Sequence, residues 1–116
     1  MKNIKWIVKR KKEIGYRYYK NLKSNKNIIL QDLKKTYAEN IFWVFGVLLN
    51  KNYKQDRSLI TSKLLKNNIQ TRNFFYPMHK QKIFLQKKIF SKKIYLPIAE
   101  YLSEKGFYLP SGLGIS

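Results

Sequence analysis

A nearly unbroken apolar run at positions 41–49 constrains the fold more than any other feature of this 116-residue sequence. The run reads Ile-Phe-Trp-Val-Phe-Gly-Val-Leu-Leu and is rich in aromatic and β-branched side chains. It is about half as long as a membrane span, which needs roughly 20 residues. Such continuous apolarity is typical of a strand that is buried on both faces. We therefore expect residues 41–49 to form a strand in the interior of a layered domain.

The segments around this strand predict alternating helices and strands. Apolar residues recur at helical spacing over residues 2–24, from Ile4 to Leu22. The further predicted elements are a short strand at 28–30, a helix at 56–67 that Asp56 caps, an extended segment at 69–76 that Pro77 ends, a helix at 98–105 that a left-handed Gly106 closes, and a strand at 107–109. The alternation indicates an α/β fold in one domain that covers residues 1–116.

The first predicted helix has no start signal. No N-cap residue with a capping box precedes it, and its periodic pattern is already running at Met1. We expect that the sequence begins within an element of a larger fold.

The net charge of +19 raises the possibility of nucleic-acid binding. Only four of the 25 basic residues are arginine, the residue that dedicated nucleic-acid readers use for bidentate contacts. The lysines are spread along the chain, and Lys, Asn and Ile are abundant together, as a genome rich in A and T would encode. We favour compositional drift over a nucleic-acid groove, with a small basic nucleic-acid-binding protein as the alternative.

Complete catalytic motifs are missing from the sequence. The absence of cysteine excludes disulfides and thiol nucleophiles, and a single histidine, His79, excludes two-histidine metal sites within the chain. We predict no metal site, and the i,i+4 pair Glu100 and Glu104 is typical of solvated helix surface. No apolar stretch follows the basic start of the chain, so we expect no signal peptide, no membrane span and a cytoplasmic protein.

One segment, residues 71–79, carries candidate functional groups. Its sequence Thr-Arg-Asn-Phe-Phe-Tyr-Pro-Met-His places Arg72, Tyr76 and His79 around a proline turn that follows a predicted strand. Loops at strand ends are where α/β folds collect ligand-binding groups. By residue type alone His79 is as compatible with an ordinary surface position as with a site, and Arg72 could pair with Asp56 or Glu39.

The same region resembles the C-terminal signature of the DegT/StrS-type sugar aminotransferases, and within them the GDP-perosamine synthases. The resemblance rests on residues 69–81, on 96–103 with 106–112, on 40–46, which is similar to the family's small-domain strand, and on 7–14, which is similar to the helix leading into that domain. These segments occur in the family's order and cover nearly the whole chain.

The resemblance implies the C-terminal small domain of a fold type I, aspartate aminotransferase-like enzyme, truncated at both ends. Such an enzyme uses pyridoxal 5′-phosphate (PLP) as an electron sink, held by a lysine Schiff base. It would transfer an amino group from glutamate to a 4-keto-6-deoxy sugar nucleotide of the perosamine type, for surface polysaccharide such as O-antigen. The large domain with that lysine would precede Met1, so we expect this chain alone to be inactive and to bind no PLP.

The resemblance also places Arg72, Tyr76 and His79 where the small domain meets the nucleotide-sugar site. It implies anion binding for Arg72 and polar contacts with sugar or phosphate for Tyr76 and His79, with no catalytic or cofactor-binding residue in this chain. The full-length family implies a homodimer. A separate chain that supplies the large domain remains an alternative to an inactive fragment.

Overall fold

The computed structural model describes residues 3–90 and 94–115. Helices and strands are mixed along the chain, but they alternate only in part: two strands follow the first helix, and two α-helices precede the last strand. The α-helices are α1 (Ile4–Leu22), α2 (Arg57–Lys66), α3 (Lys82–Gln86) and α4 (Pro97–Lys105), with a 3-10 turn at Met78–Lys80, and the strands are β1 (Ile28–Leu30), β2 (Phe45–Leu49), β3 (Arg72–Asn73) and β4 (Gly106–Leu109).

The four strands form one antiparallel sheet in the order β1-β2-β4-β3. The last strand therefore lies between β2 and β3, where Val47 pairs with Phe107 and Arg72 pairs with Tyr108. Because β2 is a central strand with a layer against each face, four of its five residues are buried. This burial confirms the prediction of an interior strand for residues 45–49.

The core lies on the helical face of the sheet. Its fully buried members are aromatic and aliphatic side chains: Phe42, Phe45, Val47, Leu49 and Phe107. Half-buried side chains of α1 and α2, among them Tyr18, Leu22, Ile60 and Leu64, pack against this cluster. Apolar residues repeat on these helices every three or four positions because one helix face covers the sheet.

The opposite face of the sheet is shaped by two glycines. A Cβ on Gly106 would lie 2.3 Å from the Phe74 ring, and a Cβ on Gly46 would lie 3.0 Å from the same ring. Phe74 also stacks on Tyr108, with ring centroids 4.5 Å apart. The two glycines thus leave room for an aromatic ring directly against the strands.

Three predicted boundaries are wrong. Residues 41–44 lie outside the sheet, because Asn40 Oδ1 accepts the Phe42 N–H at 2.8 Å and Phe42 adopts a φ of 54°. Within the segment predicted as extended, 69–76, the strand is limited to Arg72–Asn73, with one further backbone hydrogen bond from the Phe74 N–H to β4. Gly106 has a φ of −94° and begins β4 directly, so the glycine serves the close approach of Phe74 and not a left-handed turn.

The helix ends agree more closely with the sequence. The predicted helix at 2–24 is α1, Ile4–Leu22, and Lys2 lies outside the described residues. Asn3 precedes α1 without a side-chain capping bond, and Asp56 precedes α2, also without one. The helix predicted at 98–105 begins one residue earlier, at Pro97.

Candidate functional site

The candidate segment, residues 71–80, lies at the β3 edge of the sheet. Arg72 and Asn73 pair with Tyr108 and Phe107 of β4, and the Phe74 N–H donates to the Gly106 carbonyl at 3.1 Å. After this strand, Pro77 turns the chain into the 3-10 turn Met78–Lys80. Backbone pairing on one side and the proline turn on the other therefore fix the path of the segment.

Arg72 and Tyr76 face solvent. Arg72 is exposed and Tyr76 is 60% exposed. The two carboxylates considered as partners for Arg72 are engaged elsewhere: Glu39 contacts Lys12 at 2.7 Å, and Asp56 lies 3.8 Å from Lys105. Within the described ranges no ion pair or hydrogen bond engages the Arg72 guanidinium, which leaves its bidentate fork accessible to an anion.

His79 is buried, at 5% exposure, and is the one buried polar side chain in the described part of the chain. Its Nε2 lies 3.0 Å from Oε1 of Glu100 on α4. An ionised carboxylate can only accept hydrogen bonds, so Nε2 carries the proton of this pair. No hydrogen bond joins His79 to Arg72 or Tyr76 among the described residues, and its role as a substrate contact stays a prediction.

Glu100 links the 3-10 turn to α4. Besides His79, its carboxylate accepts a hydrogen bond from Lys80 Nζ through Oε2 and one from the Leu96 N–H at 3.4 Å. These donors stabilise the ionised form: the hydrogen bond from Lys80, followed by that from His79, lowers the pKa of Glu100 to about 2. The same contact raises the pKa of Lys80.

The assignment of Glu100 to solvated helix surface is therefore wrong. Its side chain is 18% exposed, whereas Glu104, one turn later, is 71% exposed beside Lys105. Sequence reasoning missed Glu100 because its side-chain partners, His79 and Lys80, lie about twenty residues away, beyond any helical spacing. A carboxylate in the first turn after Pro97 was the available signal, since acids are favoured at helix N-termini.

The expectation that this chain alone binds no PLP stays a prediction. A nucleophilic lysine is commonly desolvated in an apolar pocket, and no described lysine is buried. The half-buried ones are committed: Lys11 donates to the carbonyls of Trp43 and Ser111, Lys12 pairs with Glu39, and Lys105 lies near Asp56 and Glu104.

Other classes of site are also missing from the described ranges. Residues 3–90 and 94–115 contain no group of three His, Asp or Glu side chains that could hold a metal ion. No described helix is both long enough and apolar enough to cross a membrane.

A comparison with known protein families identifies the class of protein. The model of the DegT/DnrJ/EryC1/StrS aminotransferase family matches residues 1–116. The chain therefore belongs to this family, which confirms the resemblance seen in the sequence.

Three individual proteins illustrate what this chain is similar to. A GDP-perosamine synthase of Vibrio cholerae is 25% identical over 109 residues, which cover 94% of this chain and 28% of the synthase. The structure of Spr1654 from Streptococcus pneumoniae, assigned as a sugar aminotransferase, in its PMP-form, matches 99% of this chain and 28% of its own, with a TM-score of 0.85 at 20% identity. Helicobacter pylori PseC, an aminotransferase involved in the biosynthesis of pseudoaminic acid, matches 94% of this chain and 28% of its own, with a TM-score of 0.80 at 16% identity.

These structural matches establish the fold, and with it the expected fold class. The chain shares a mixed helix–sheet unit with sugar aminotransferases. It spans little more than a quarter of the length of each of these relatives.

Proposed function

We propose that this chain forms the substrate-facing part of a sugar-nucleotide aminotransferase. The whole enzyme transfers an amino group from glutamate to a 4-keto-6-deoxy sugar nucleotide of the perosamine type, for surface polysaccharide. Residues outside this chain hold PLP, which supplies the electron sink for amino transfer. The large domain comes from a longer polypeptide or from a separate chain, and the complete enzyme is a homodimer.

One observation carries this proposal. Arg72 and Tyr76 are exposed, and the turn that follows them in the chain is held in place by contacts with Glu100. A substrate site needs polar groups that are accessible and also positioned by rigid surroundings. Pairing with β4 fixes Arg72, and the contact of His79 and Lys80 with Glu100 fixes the turn after Tyr76. The family match and the similarity to a GDP-perosamine synthase support a sugar nucleotide as the ligand.

Each residue then has a separate role. Arg72 binds the diphosphate or a carboxylate, because a guanidinium forms two parallel hydrogen bonds with such anions. Tyr76 contacts the sugar or the phosphate through its phenol. His79 contributes less to binding than Arg72, because its Nε2 is committed to Glu100 and its side chain is 4% exposed.

A chimera tests the proposal. Residues 71–80 of this chain replace the corresponding segment of the intact Vibrio cholerae GDP-perosamine synthase, and amination of the sugar nucleotide is measured with glutamate as donor. We expect the chimera to retain amination, because the segment supplies equivalent substrate contacts. A chimera that folds and binds PLP but fails to bind the sugar nucleotide would contradict the proposal.

A second candidate function follows from the charge. Three lysines on α1 are exposed, as is Lys23 directly after it, and the net charge is +19; the three are Lys5, Lys9 and Lys20. A nucleic-acid-binding protein would bind duplex DNA with an affinity that falls steeply and linearly on a logarithmic salt scale. DNA retention that persists at physiological salt would favour this function over the aminotransferase.

A further inference from the structure

Glu100 lies outside the candidate segment at 71–80 but contacts both residues that end it. Its Oε1 accepts a hydrogen bond from His79 Nε2 at 3.0 Å, and its Oε2 accepts one from Lys80 Nζ. The imidazole is buried, so water competes little for the contact with His79. Hydrogen bonds to an ionised carboxylate are also stronger than those between neutral groups. We call the contact of Glu100 with His79 and Lys80 the Glu100 latch.

The helix that carries Glu100 is itself fixed to the sheet. Tyr101, the next residue, donates its hydroxyl to the Leu49 carbonyl of β2 at 2.7 Å. At the other end of α4, Arg57 donates to the Gly106 carbonyl at 3.2 Å, and Gly106 begins β4. Glu100 therefore presents its carboxylate from a backbone position that the sheet determines.

The Glu100 latch restricts the conformation of Tyr76. Pro77 follows Tyr76 with a φ of −59°, and its carbonyl accepts the Lys80 N–H at 3.0 Å. A residue before proline is confined largely to extended conformations. Few free torsions thus separate the Tyr76 backbone from the side chains that contact Glu100, so the position of the phenol depends on the latch.

Arg72 is fixed by a different part of the molecule. It pairs with Tyr108 of β4, and the Phe74 N–H donates to the Gly106 carbonyl at 3.1 Å. The Phe74 ring also stacks on Tyr108, with ring centroids 4.5 Å apart. These contacts hold the end of β3 in place independently of Glu100. The two exposed polar side chains of the segment therefore have separate anchors.

We propose that Glu100 is a positioning residue of the sugar-nucleotide site, which acts through the Glu100 latch on Tyr76. Arg72, which β4 holds, is independent of it. This inference rests on the proposed function, in which the Tyr76 phenol contacts the sugar or the phosphate. Glu100 touches no substrate in this arrangement, because its carboxylate is directed to His79 and Lys80. Its contribution is preorganisation, since a phenol that is already oriented loses less conformational freedom when the ligand binds.

The test uses an enzyme in which residues 1–116 of this chain replace the matching part of the Vibrio cholerae GDP-perosamine synthase. We call it the exchange enzyme. Glu100→Gln should raise its KM for the GDP-linked 4-keto-6-deoxy sugar about three- to tenfold, because the amide nitrogen donates and cannot accept from Lys80. The half-reaction with glutamate should change less than about twofold, which distinguishes lost positioning from a general loss of folded enzyme.

A double-mutant cycle identifies the residue through which Glu100 acts. In an exchange enzyme that already carries Tyr76→Phe, Glu100→Gln should raise the KM less than about twofold, because the contact that it positions is gone. With Arg72→Ala in place, the same change should still raise the KM about three- to tenfold, since independent sites are additive. Equal effects in the two backgrounds overturn the proposal. Glu104→Gln, at an exposed position of the same helix, is the charge-matched control and should leave the KM unchanged.

The outcomes separate this proposal from the proposed function. An unsubstituted exchange enzyme that folds and binds PLP but does not aminate the sugar nucleotide contradicts the proposed function, and the role of Glu100 with it. Amination together with an unchanged KM in Glu100→Gln overturns only the role of Glu100. Should Glu100→Gln fail to fold, Lys80→Met takes its place, because it removes one donor of the Glu100 latch from a partly exposed position. An unchanged KM in that variant overturns the proposal.

Discussion

The Nε2 atom of His79 lies 3.0 Å from Oε1 of Glu100, and this contact joins the 3-10 turn after Pro77 to the first turn of α4. The imidazole is buried, and the carboxylate that accepts a hydrogen bond from its N–H also accepts one from the Leu96 N–H at the start of α4. The Glu100 side chain therefore provides a hydrogen-bond acceptor both for the buried imidazole and for a backbone N–H at the start of α4. Loss of the carboxylate would leave a buried donor without a partner, which is costly.

The acid stability of the chain should depend on Glu100. Because its pKa is lowered to about 2 in the folded chain, the stabilisation is complete above the pKa of the unfolded group, near 4.5, and is lost as the pH falls toward 2. Urea unfolding of the wild-type chain should therefore show a midpoint that falls between pH 4.5 and 2. Glu100→Gln should lower the midpoint at pH 7 and flatten the pH dependence in this window.

Glu104→Gln is the matched control for this prediction. Glu104 lies on the same helix but is 71% exposed, so the substitution should change neither the midpoint nor its pH dependence appreciably. If both variants behave alike, the contact of Glu100 with His79 and Lys80 contributes nothing to folding.

Replacement of Gly106 by alanine should destabilise the folded chain. A Cβ there would lie 2.3 Å from the Phe74 ring and 2.5 Å from the Leu102 carbonyl oxygen, which is backbone and cannot rotate away. We expect Gly106→Ala to lower the free energy of unfolding by about 1–3 kcal/mol, the usual cost of overpacking. Gly112→Ala is the control, because a Cβ there meets nothing within 4 Å, and it should leave the free energy of unfolding nearly unchanged. Thermal melts of both variants measure the difference.

A substitution at Gly46 separates the steric effect of the Phe74 ring from that of the Leu102 carbonyl. Gly46→Ala brings a Cβ to 3.0 Å from the Phe74 ring with no backbone atom as close, so the added variant Phe74→Leu should relieve most of its cost. The same Phe74→Leu change should relieve Gly106→Ala only in part. Full rescue at both positions would show that the Leu102 carbonyl imposes no constraint.

Two arginines should differ in their contribution to stability. Arg57 donates to the carbonyls of Ser103 and Gly106, at the C-terminal end of α4, where a positive charge also complements the helix dipole. Arg57→Ala should therefore lower the free energy of unfolding by about 1–2 kcal/mol, measured by urea denaturation. Arg72→Ala should change it by less than about 0.5 kcal/mol, because Arg72 is exposed. A comparable loss in both variants would make Arg72 a structural residue.

In the chimera, Arg72 should act on the substrate. Arg72→Ala should raise the KM for the sugar nucleotide about ten- to a hundredfold, since a charge-assisted hydrogen bond contributes about 1.5–3 kcal/mol. The half-reaction with glutamate is spared if Arg72 serves the nucleotide and is impaired if it binds the carboxylate of the donor. His79→Ala should raise the KM less. Unchanged kinetics with lowered thermal stability in both variants would show that these residues are structural.

The sequence predicted the regular elements better than the contacts between them. The helical period of α1 and the apolar run of β2 are local patterns that burial against the sheet enforces, so their residues could be found in advance. The turn at Phe42 could not, because the side chain of Asn40 accepts the backbone N–H and a bulky residue takes a left-handed conformation that its type disfavours. The pairing of His79 with Glu100 depends on how α4 docks, which no local spacing encodes.

The order β1-β2-β4-β3 also determines when the candidate segment can take shape during synthesis. On the ribosome β1 and β2 are made before β3, but the strand that hydrogen-bonds to both β2 and β3 emerges only at Gly106–Leu109. Until then the nascent chain has a β1–β2 pair, an unpaired β3 and an apolar strand edge open to wrong partners, a state prone to misassembly. A premature stop codon shortly before Gly106 would therefore remove the strand partner of Arg72 while leaving every residue of the segment at 71–80 in the translated product.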